Sequence, residues 1–239
     1  MATLVAGASG ATGRLLVEQL LERGEKVKII VRSIESLPET ISQHKNIFII
    51  LESISEMSDS DMADAVKGCD TVISCLGHTI NFKGMYCFPR RLVTDSVRRL
   101  CNAIKENNPE TPAKFILMNS SGVSNLDILE KISFKQKCVM TLLRWLVPPH
   151  ADNEKAADYL RTEIGQCNNI IEWTAVRPDG LVNEETVSEY TTYSSPIKSA
   201  IFEAGKVSRI NVGHFMAELM SDVDLWKRWK GQMPVIYSK

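Results

Sequence analysis

An open α/β sheet, doubly wound and parallel, is the fold this sequence predicts, and three observations predict it. Short apolar stretches alternate with helical patterns along the chain, as parallel strands joined by crossover helices require. The first stretch, Ala2-Thr3-Leu4-Val5-Ala6, runs directly into Gly7-Ala8-Ser9-Gly10-Ala11-Thr12-Gly13 and then into a helix-compatible segment. No Pro/Gly/Ser-rich linker or low-complexity block divides the 239 residues, so a single domain is expected over 1–239.

The elements follow in order. The first helix is predicted from about Thr12 to Arg23, with Leu16, Val17, Leu20 and Leu21 on one buried face and Gly24 as its stop. Strands two and three are Val27-Lys28-Ile29-Ile30-Val31 and Ile47-Phe48-Ile49-Ile50-Leu51. A short helix over Asp61 to Lys67 precedes strand four, Thr71-Val72-Ile73-Ser74-Cys75. A helix from about Arg90 to Glu106 leads to strand five, Lys114-Phe115-Ile116-Leu117-Met118. A helix from about Asp152 to Ile164 leads to strand six, Ile171 to Val176. Beyond Pro178 the alternation stops, apart from a helix over Asn211 to Ser221 and a terminal strand, Pro234 to Tyr237.

Two connections are longer than the fold needs: His78 to Pro89, and Asn125 to Pro149 with its amphipathic run of leucines, Phe134 and Trp145. Both leave the carboxyl ends of strands, where open α/β sheets bind ligands. Residues 125–150 are read as an insertion that walls or lids the substrate position, with a subunit interface or a helix packed on the domain as the alternative. Its lysines, with Arg144, leave a membrane-surface helix as a weaker option. Residues 178–239 are read as a small substrate-side part.

Composition is that of a soluble globular protein, with 44% hydrophobic and 24% charged residues. A net charge of -1 excludes a strong field toward nucleic acid or an anionic membrane. None of the six cysteines forms a C-x-x-C pair or a zinc-spaced cluster, so a reducing compartment and no metal are expected. No apolar run is long enough to span a bilayer, and the phosphate loop opens the chain with no leader before it. A cytoplasmic location is the expectation.

The glycine loop points to a dinucleotide. Gly7 lets the chain turn off the strand, Gly10 lets a pyrophosphate approach the backbone, and Gly13 lets the helix lie close to the sheet. Ser9, Ala11 and Thr12 complete the loop, and the N–H groups that open the helix face the phosphates. Strand two ends in Arg32-Ser33, with no carboxylate at the position that grips ribose hydroxyls in NAD sites. A guanidinium there binds a 2′-phosphate, so NADP(H) is the expected cofactor. Glu52 and Ser53 are expected near the adenine, and Cys75-Leu76-Gly77 beneath the adenine ribose and pyrophosphate.

Further motifs carry a resemblance. Asn119-Ser120-Ser121-Gly122-Val123, Trp173 to Gly180 with its Arg177-Pro178 pair, and Ser208-Arg209-Ile210 before Gly213-His214-Phe215-Met216 resemble the atypical short-chain dehydrogenase/reductases. With the glycine loop, they are similar to the NmrA-like branch, nearest to the biliverdin-IX-beta reductase/flavin reductase type of this Rossmann-type fold. The resemblance covers most of the chain, excluding residues 125–149 and 85–89. It implies reduction by NADPH, with hydride leaving above the ends of strands four and five.

The resemblance also ranks residues. Ser120 falls where the reductase type has a serine beside the nicotinamide, and His150 matches a histidine that could relay a proton. Lys155 could reach the nicotinamide ribose. Asn119 and Pro178 are expected beside the same ring. The Tyr-x-x-x-Lys pair of the wider superfamily is broken, since Ala151 holds the tyrosine position and Tyr159 lies one turn further on. A conjugated acceptor such as a flavin or quinone tolerates that loss, because it takes up the hydride's charge itself. A protein that binds NADP(H) as a sensor, acting on a protein partner or a second copy through 125–150, tolerates it too. Asp179 stands where the reductase type has histidine. Phe82, Tyr86 and Trp145 could line a flat pocket, and Arg209 is expected to anchor the loop before the last helix.

Overall fold

The structure is a computed structural model. It describes residues 2–78, 90–131 and 133–239, leaving aside the side chains of Phe134, Lys137, Cys138 and Trp145. Ten strands are described: β1 (Ala2–Ala6), β2 (Val27–Val31), β3 (Ile47–Leu51), β4 (Cys69–Ser74), β5 (Ala113–Met118), β6 (Ile171–Pro178), β7 (Gly180–Val182), β8 (Tyr190–Tyr193), β9 (Lys206–Ser208) and β10 (Val235–Ser238). Eight form one sheet in the order β3-β2-β1-β4-β5-β6-β10-β8. Every neighbouring pair is parallel except β10 with β8. Strand order reverses direction between β1 and β4, which makes their carboxyl ends the crevice where this class of sheet receives ligands. The pair β7 and β9 stands apart as a second small sheet.

Helices cover both faces: α1 (Ala11–Glu22), α2 (Glu39–Ser42), α3 (Asp59–Val66), α4 (Leu92–Asn107), α5 (Phe134–Leu146), α6 (Pro148–Tyr159), α7 (Arg209–Ser221) and α8 (Val223–Trp229). Strand alternation feeds two cores. Leu4, Val72, Phe115, Leu117 and Trp173 meet α3, α4 and α6 on one face. Val5, Ile29, Ile73, Ile116 and Val176 meet α1, α7 and α8 on the other. Gly213 lets α7 approach α1, since a Cβ there would lie 3.1 Å from the Leu16 backbone nitrogen.

Arg177 is wholly buried, and its guanidinium ties distant segments together. It donates to the carbonyls of Met233 (2.7 Å), Val123 (2.8 Å) and Ser194 (3.1 Å) and lies 2.8 Å from the Glu130 carboxylate. The Arg-Pro motif thus fastens the 123–130 loop to β6 and β10.

Several boundaries differ from the sequence expectation. The helix expected from about Asp152 begins at Pro148, because Pro148 and Pro149 fit a first turn that needs no N–H donor. His150 and Ala151 therefore lie inside α6 rather than before it. That helix ends at Tyr159 and continues through a π turn, Leu160–Ile164. Strand four closes at Ser74, although the Cys75 N–H still bonds the Ala6 carbonyl at 2.8 Å. Beyond Pro178, β7, β8, β9 and α8 were not foreseen. These strands are three or four residues long, too short to show alternation.

Candidate functional site

The carboxyl ends of β1, β4 and β5 carry most of the expected site residues. Gly7 sits at φ 82°, and a Cβ there would lie 2.7 Å from the Cys75 backbone carbonyl. A Cβ at Gly13 would collide with the Gly7 carbonyl. The loop is thus packed to backbone contact with the strand-four connection, and only glycine fits at both positions. Ser9, Gly10 and Ala11 are exposed at its rim, whereas Thr12 is buried.

Of the eight described helices, α1, α2, α4 and α6 have no side-chain cap from their own N-cap residue. Ser58, Ser133, Ser208 and Asp222 cap α3, α5, α7 and α8 with side-chain oxygens. Gly10 offers α1 no side-chain acceptor, and the first turn of α1 holds no acidic residue. The opening N–H groups of α1 and its positive dipole end suit a pyrophosphate. The glycine cradle therefore fits an NAD(P)H dinucleotide.

At the end of β2, Arg32 is exposed and Ser33 half-buried. The sequence reading found no carboxylate at this strand end. The turn brings one back: Ser33 Oγ donates to Glu35 Oε2 at 2.6 Å. Glu52 and Ser53 follow β3, with Ser53 Oγ 3.0 Å from Ser55 Oγ. Cys75 is buried, and burial pushes its thiol up to about 12, which makes it an inert core thiol. Gly77 is exposed, with open space where its Cβ would stand.

Ser120 and His150 both border Gly122. A Cβ built on Gly122 would lie 3.6 Å from Ser120 Oγ, 3.7 Å from His150 Cε1 and 3.3 Å from Met140 Cε. Ser120 Oγ accepts from the Gly122 N–H at 3.2 Å, and its own N–H donates to Asn119 Oδ1 at 2.8 Å. Asn119 Nδ2 in turn donates to the Asn153 carbonyl at 3.0 Å, tying the end of β5 to α6. Ser121 N–H bonds the Pro178 carbonyl at 2.9 Å, which fixes this turn against β6.

Around His150, charge is arranged by two helices. Its Nε2 lies 3.3 Å from Glu154 Oε1. Arg144 of α5 holds the same carboxylate with two bonds, 2.6 and 2.9 Å long. Burial alone would raise the Glu154 carboxyl; hydrogen bonds from His150 and Arg144 outweigh it and hold the group at about 2. Lys155 is exposed on α6, and its ammonium makes no ion pair among the described residues. Tyr159 packs against the core, where burial raises its phenol.

One residue at this end was missed by sequence reasoning. Asp152 is buried, and its carboxylate accepts from the N–H groups of Val93 (2.8 Å) and Thr94 (3.0 Å) and from the Thr94 hydroxyl. It also lies 2.8 Å from Nε2 of His78, three residues past Cys75. An acid on α6 thereby caps α4 and grips the end of the β4 connection. No short-range spacing announces such a contact. Asp179 is likewise spent inside the fold, accepting from Ser121 Oγ and the Gly205 N–H, both at 2.9 Å. Arg209 holds Asn183 Oδ1 at 2.7 Å, the anchoring role expected of it. Phe82 and Tyr86, and the Trp145 side chain, lie outside the described residues.

Two hollows lie elsewhere. One of about 400 Å³ sits between α1 and α7, and one of about 280 Å³ near Thr3, Thr71 and Lys114. Neither holds an expected site residue. No group of three or more His, Cys, Asp or Glu among the described residues could hold a metal ion. No described helix is long and apolar enough to cross a membrane.

Comparison with known proteins agrees with this geometry. The profile of the NAD(P)H-binding family matches residues 7–223, and the chain belongs to that family. An uncharacterized chloroplastic protein of Arabidopsis thaliana is 28% identical over 186 residues. The match takes in 75% of this chain and 59% of that relative, so the chain spans under two thirds of its length. Among solved structures, a short-chain dehydrogenase/reductase of Veillonella parvula in complex with NADP superposes with a TM-score of 0.71 at 16% identity, covering 99% of this chain and 94% of that one. ChuY, an anaerobillin reductase of Escherichia coli O157:H7, gives 0.69 at 16% identity over 100% and 97%. An oxidoreductase of Lactococcus lactis gives 0.71 at 17% identity over 100% and 91%. These likenesses establish a Rossmann-like α/β fold.

Proposed function

We propose that the protein is an NADPH-dependent reductase that passes hydride to a conjugated acceptor, flavin- or quinone-like. The observation that carries the reading is that Ser120 and His150 both border Gly122, at the same sheet end as the glycine-opened start of α1. Backbone N–H groups from Gly7 to Gly13 would hold the pyrophosphate, and Arg32 with Ser33 the 2′-phosphate. Glu52 and Ser53 would flank the adenine, Cys75 to Gly77 the adjoining ribose. Asn119, Ser120, Lys155 and Pro178 would border the nicotinamide half, whose ring supplies the hydride when bound.

The chain's own residues do the rest. Ser120 Oγ offers a hydrogen bond to the acceptor, and His150 relays a solvent proton to it. Ala151 provides no phenol, so the acceptor must stabilise the incoming charge itself. Residues 125–150 wall the position from one side.

The test is NADPH oxidation measured with a panel of flavins and quinones, alongside cofactor titration of Arg32→Ala. Turnover with at least one acceptor is expected, as is a tenfold or greater rise in the NADPH Kd of the variant with NADH binding unchanged, since a charged hydrogen bond contributes about 1.5–3 kcal/mol. Tight NADPH binding without turnover would instead support the second reading, a cofactor sensor, which Ala151 favours. That reading requires NADPH and NADP+ to protect residues 125–150 differently in hydrogen exchange.

A further inference from the structure

His150 sits in the first turn of α6, directly behind Pro148 and Pro149. The start of a helix is the positive end of its dipole, so a cationic ring is disfavoured there. One turn on, Glu154 answers that charge. Its Oε1 lies 3.3 Å from His150 Nε2, and the two side chains are only 13% and 17% exposed. The pair is thus largely withdrawn from water, where an exposed pair of the same spacing would be screened.

Glu154 is itself held from the other side. Arg144 of α5 donates through Nε to Oε2 at 2.6 Å and through Nη2 to Oε1 at 2.9 Å. A guanidinium fork on both oxygens fixes the plane of the carboxylate. Oε1 is therefore shared between Arg144 and the imidazole. A carboxylate only accepts, so Nε2 is the nitrogen that keeps its proton against Glu154. Nδ1 makes no hydrogen bond among the described residues, which leaves it to exchange a proton. The ring's Cε1 borders Gly122, as does Ser120 Oγ. No other charge is set against the ring in the same way. Asp152 is turned to α4, Asp158 holds Arg161, and Lys155 is exposed.

We propose that Glu154 is a positioning residue for proton transfer by His150, and that Arg144 ties the 125–150 segment into the same device. The role presupposes the reductase chemistry proposed above. Hydride arriving from NADPH, which is oxidised to NADP+, leaves the reduced acceptor as an anion. The Nδ1–H bond of the cationic ring then breaks, and its proton bonds to that anion. The ring is left neutral, with its other proton still on Nε2 against Glu154, and solvent returns one proton to Nδ1. A segment that walls the position thereby also sets the direction of the ring.

Two readouts on the full chain test this role. Nitrogen NMR of the histidine rings, in protein without cofactor, reads the tautomer; there are four histidines, and His150→Gln assigns the signal. At a pH where the ring is neutral the parent should carry its proton on Nε2, and Glu154→Ala should turn this into a mixture of tautomers. In NADPH oxidation, Glu154→Ala should lower kcat about tenfold and move its high-pH limb down by about one pH unit, with the KM for NADPH within about twofold. Without the anion, the ring gives up its proton at lower pH. Arg144→Ala should lower kcat several-fold, and Arg144→Lys, which keeps the charge without the fork, should recover part of the loss. Arg161→Gln cuts the tie to Asp127 and should leave kcat and its pH limb unchanged. If Glu154→Ala disturbs folding, Arg144→Ala decides the matter, since that side chain is 57% exposed. An unchanged tautomer, an unmoved limb, a loss confined to KM, or an equal loss in Arg161→Gln overturns the proposal. A parent that turns over no acceptor removes the reductase reading and this role with it, whereas parent turnover with an unmoved limb in Glu154→Ala removes this role alone.

Discussion

Replacing Asp152 by alanine should cost more stability than any exposed substitution in this protein, and the size of the loss can be worked from its bonds. The carboxylate receives the N–H groups of Val93 and Thr94 and the Thr94 hydroxyl, and it contacts His78 Nε2. All of this takes place where Asp152 is only 2% exposed. Losing the acceptor strands the two backbone donors at about 1–3 kcal/mol each. Loss of a helix cap alone costs about 1 kcal/mol. These contributions overlap, so a loss of about 4 kcal/mol is expected, or a fall in thermal midpoint of roughly 10 °C at this chain length. Asp152→Asn keeps one acceptor oxygen but turns an amide donor toward existing donors, and should lose about half as much. Urea unfolding followed by circular dichroism measures both. A loss below about 1 kcal/mol for the alanine variant would refute the reasoning, because it would mean that water replaces the carboxylate at no cost.

Four further outcomes follow from the same geometry. Arg177→Met should destabilise by about 3–5 kcal/mol in urea unfolding, since it leaves Glu130 buried without its guanidinium, and adding Glu130→Leu should recover part of the loss. The Glu154 carboxyl is depressed to about 2, so its contribution is full above the ordinary carboxylate range and is lost as pH falls from about 4.5 toward 2; Glu154→Gln should flatten acid unfolding in that window. Gly13→Ala should weaken NADPH binding at least tenfold in fluorescence titration, because its methyl group collides with the Gly7 carbonyl and displaces the loop. Glu35→Gln should tighten NADPH several-fold and leave NADH unchanged, since it removes a negative charge 2.6 Å from the Ser33 hydroxyl.

The sheet was legible in the sequence because its signals are local. Ile47–Leu51 is a continuous apolar run, Ala113–Met118 is apolar but for Lys114, and the glycine loop is fixed by backbone sterics at Gly7 and Gly13. The start of α6 was placed too late because Pro148-Pro149 reads as a break, although proline is at ease in a first turn. Asp152 and Glu35 escaped notice for different reasons. The first acts on residues about sixty positions away, and the second acts only once the turn after β2 has folded back. Asp179 looked like a pocket charge and is instead a loop fastener, since sequence alone does not tell which way a carboxylate faces. The resemblance singled out Ser120 and His150 one by one; that both border Gly122, whose missing side chain leaves room for them, was not legible in it.

The cap that Asp152 places on α4 has one more consequence. Helices α1 and α4 both begin at the crevice end of the sheet, and both start out as attractors for negative charge. A carboxylate from within the protein has already claimed the second. The start of α1 keeps its N–H groups for an incoming phosphate, which favours one sense in which an elongated ligand with two unlike heads can lie.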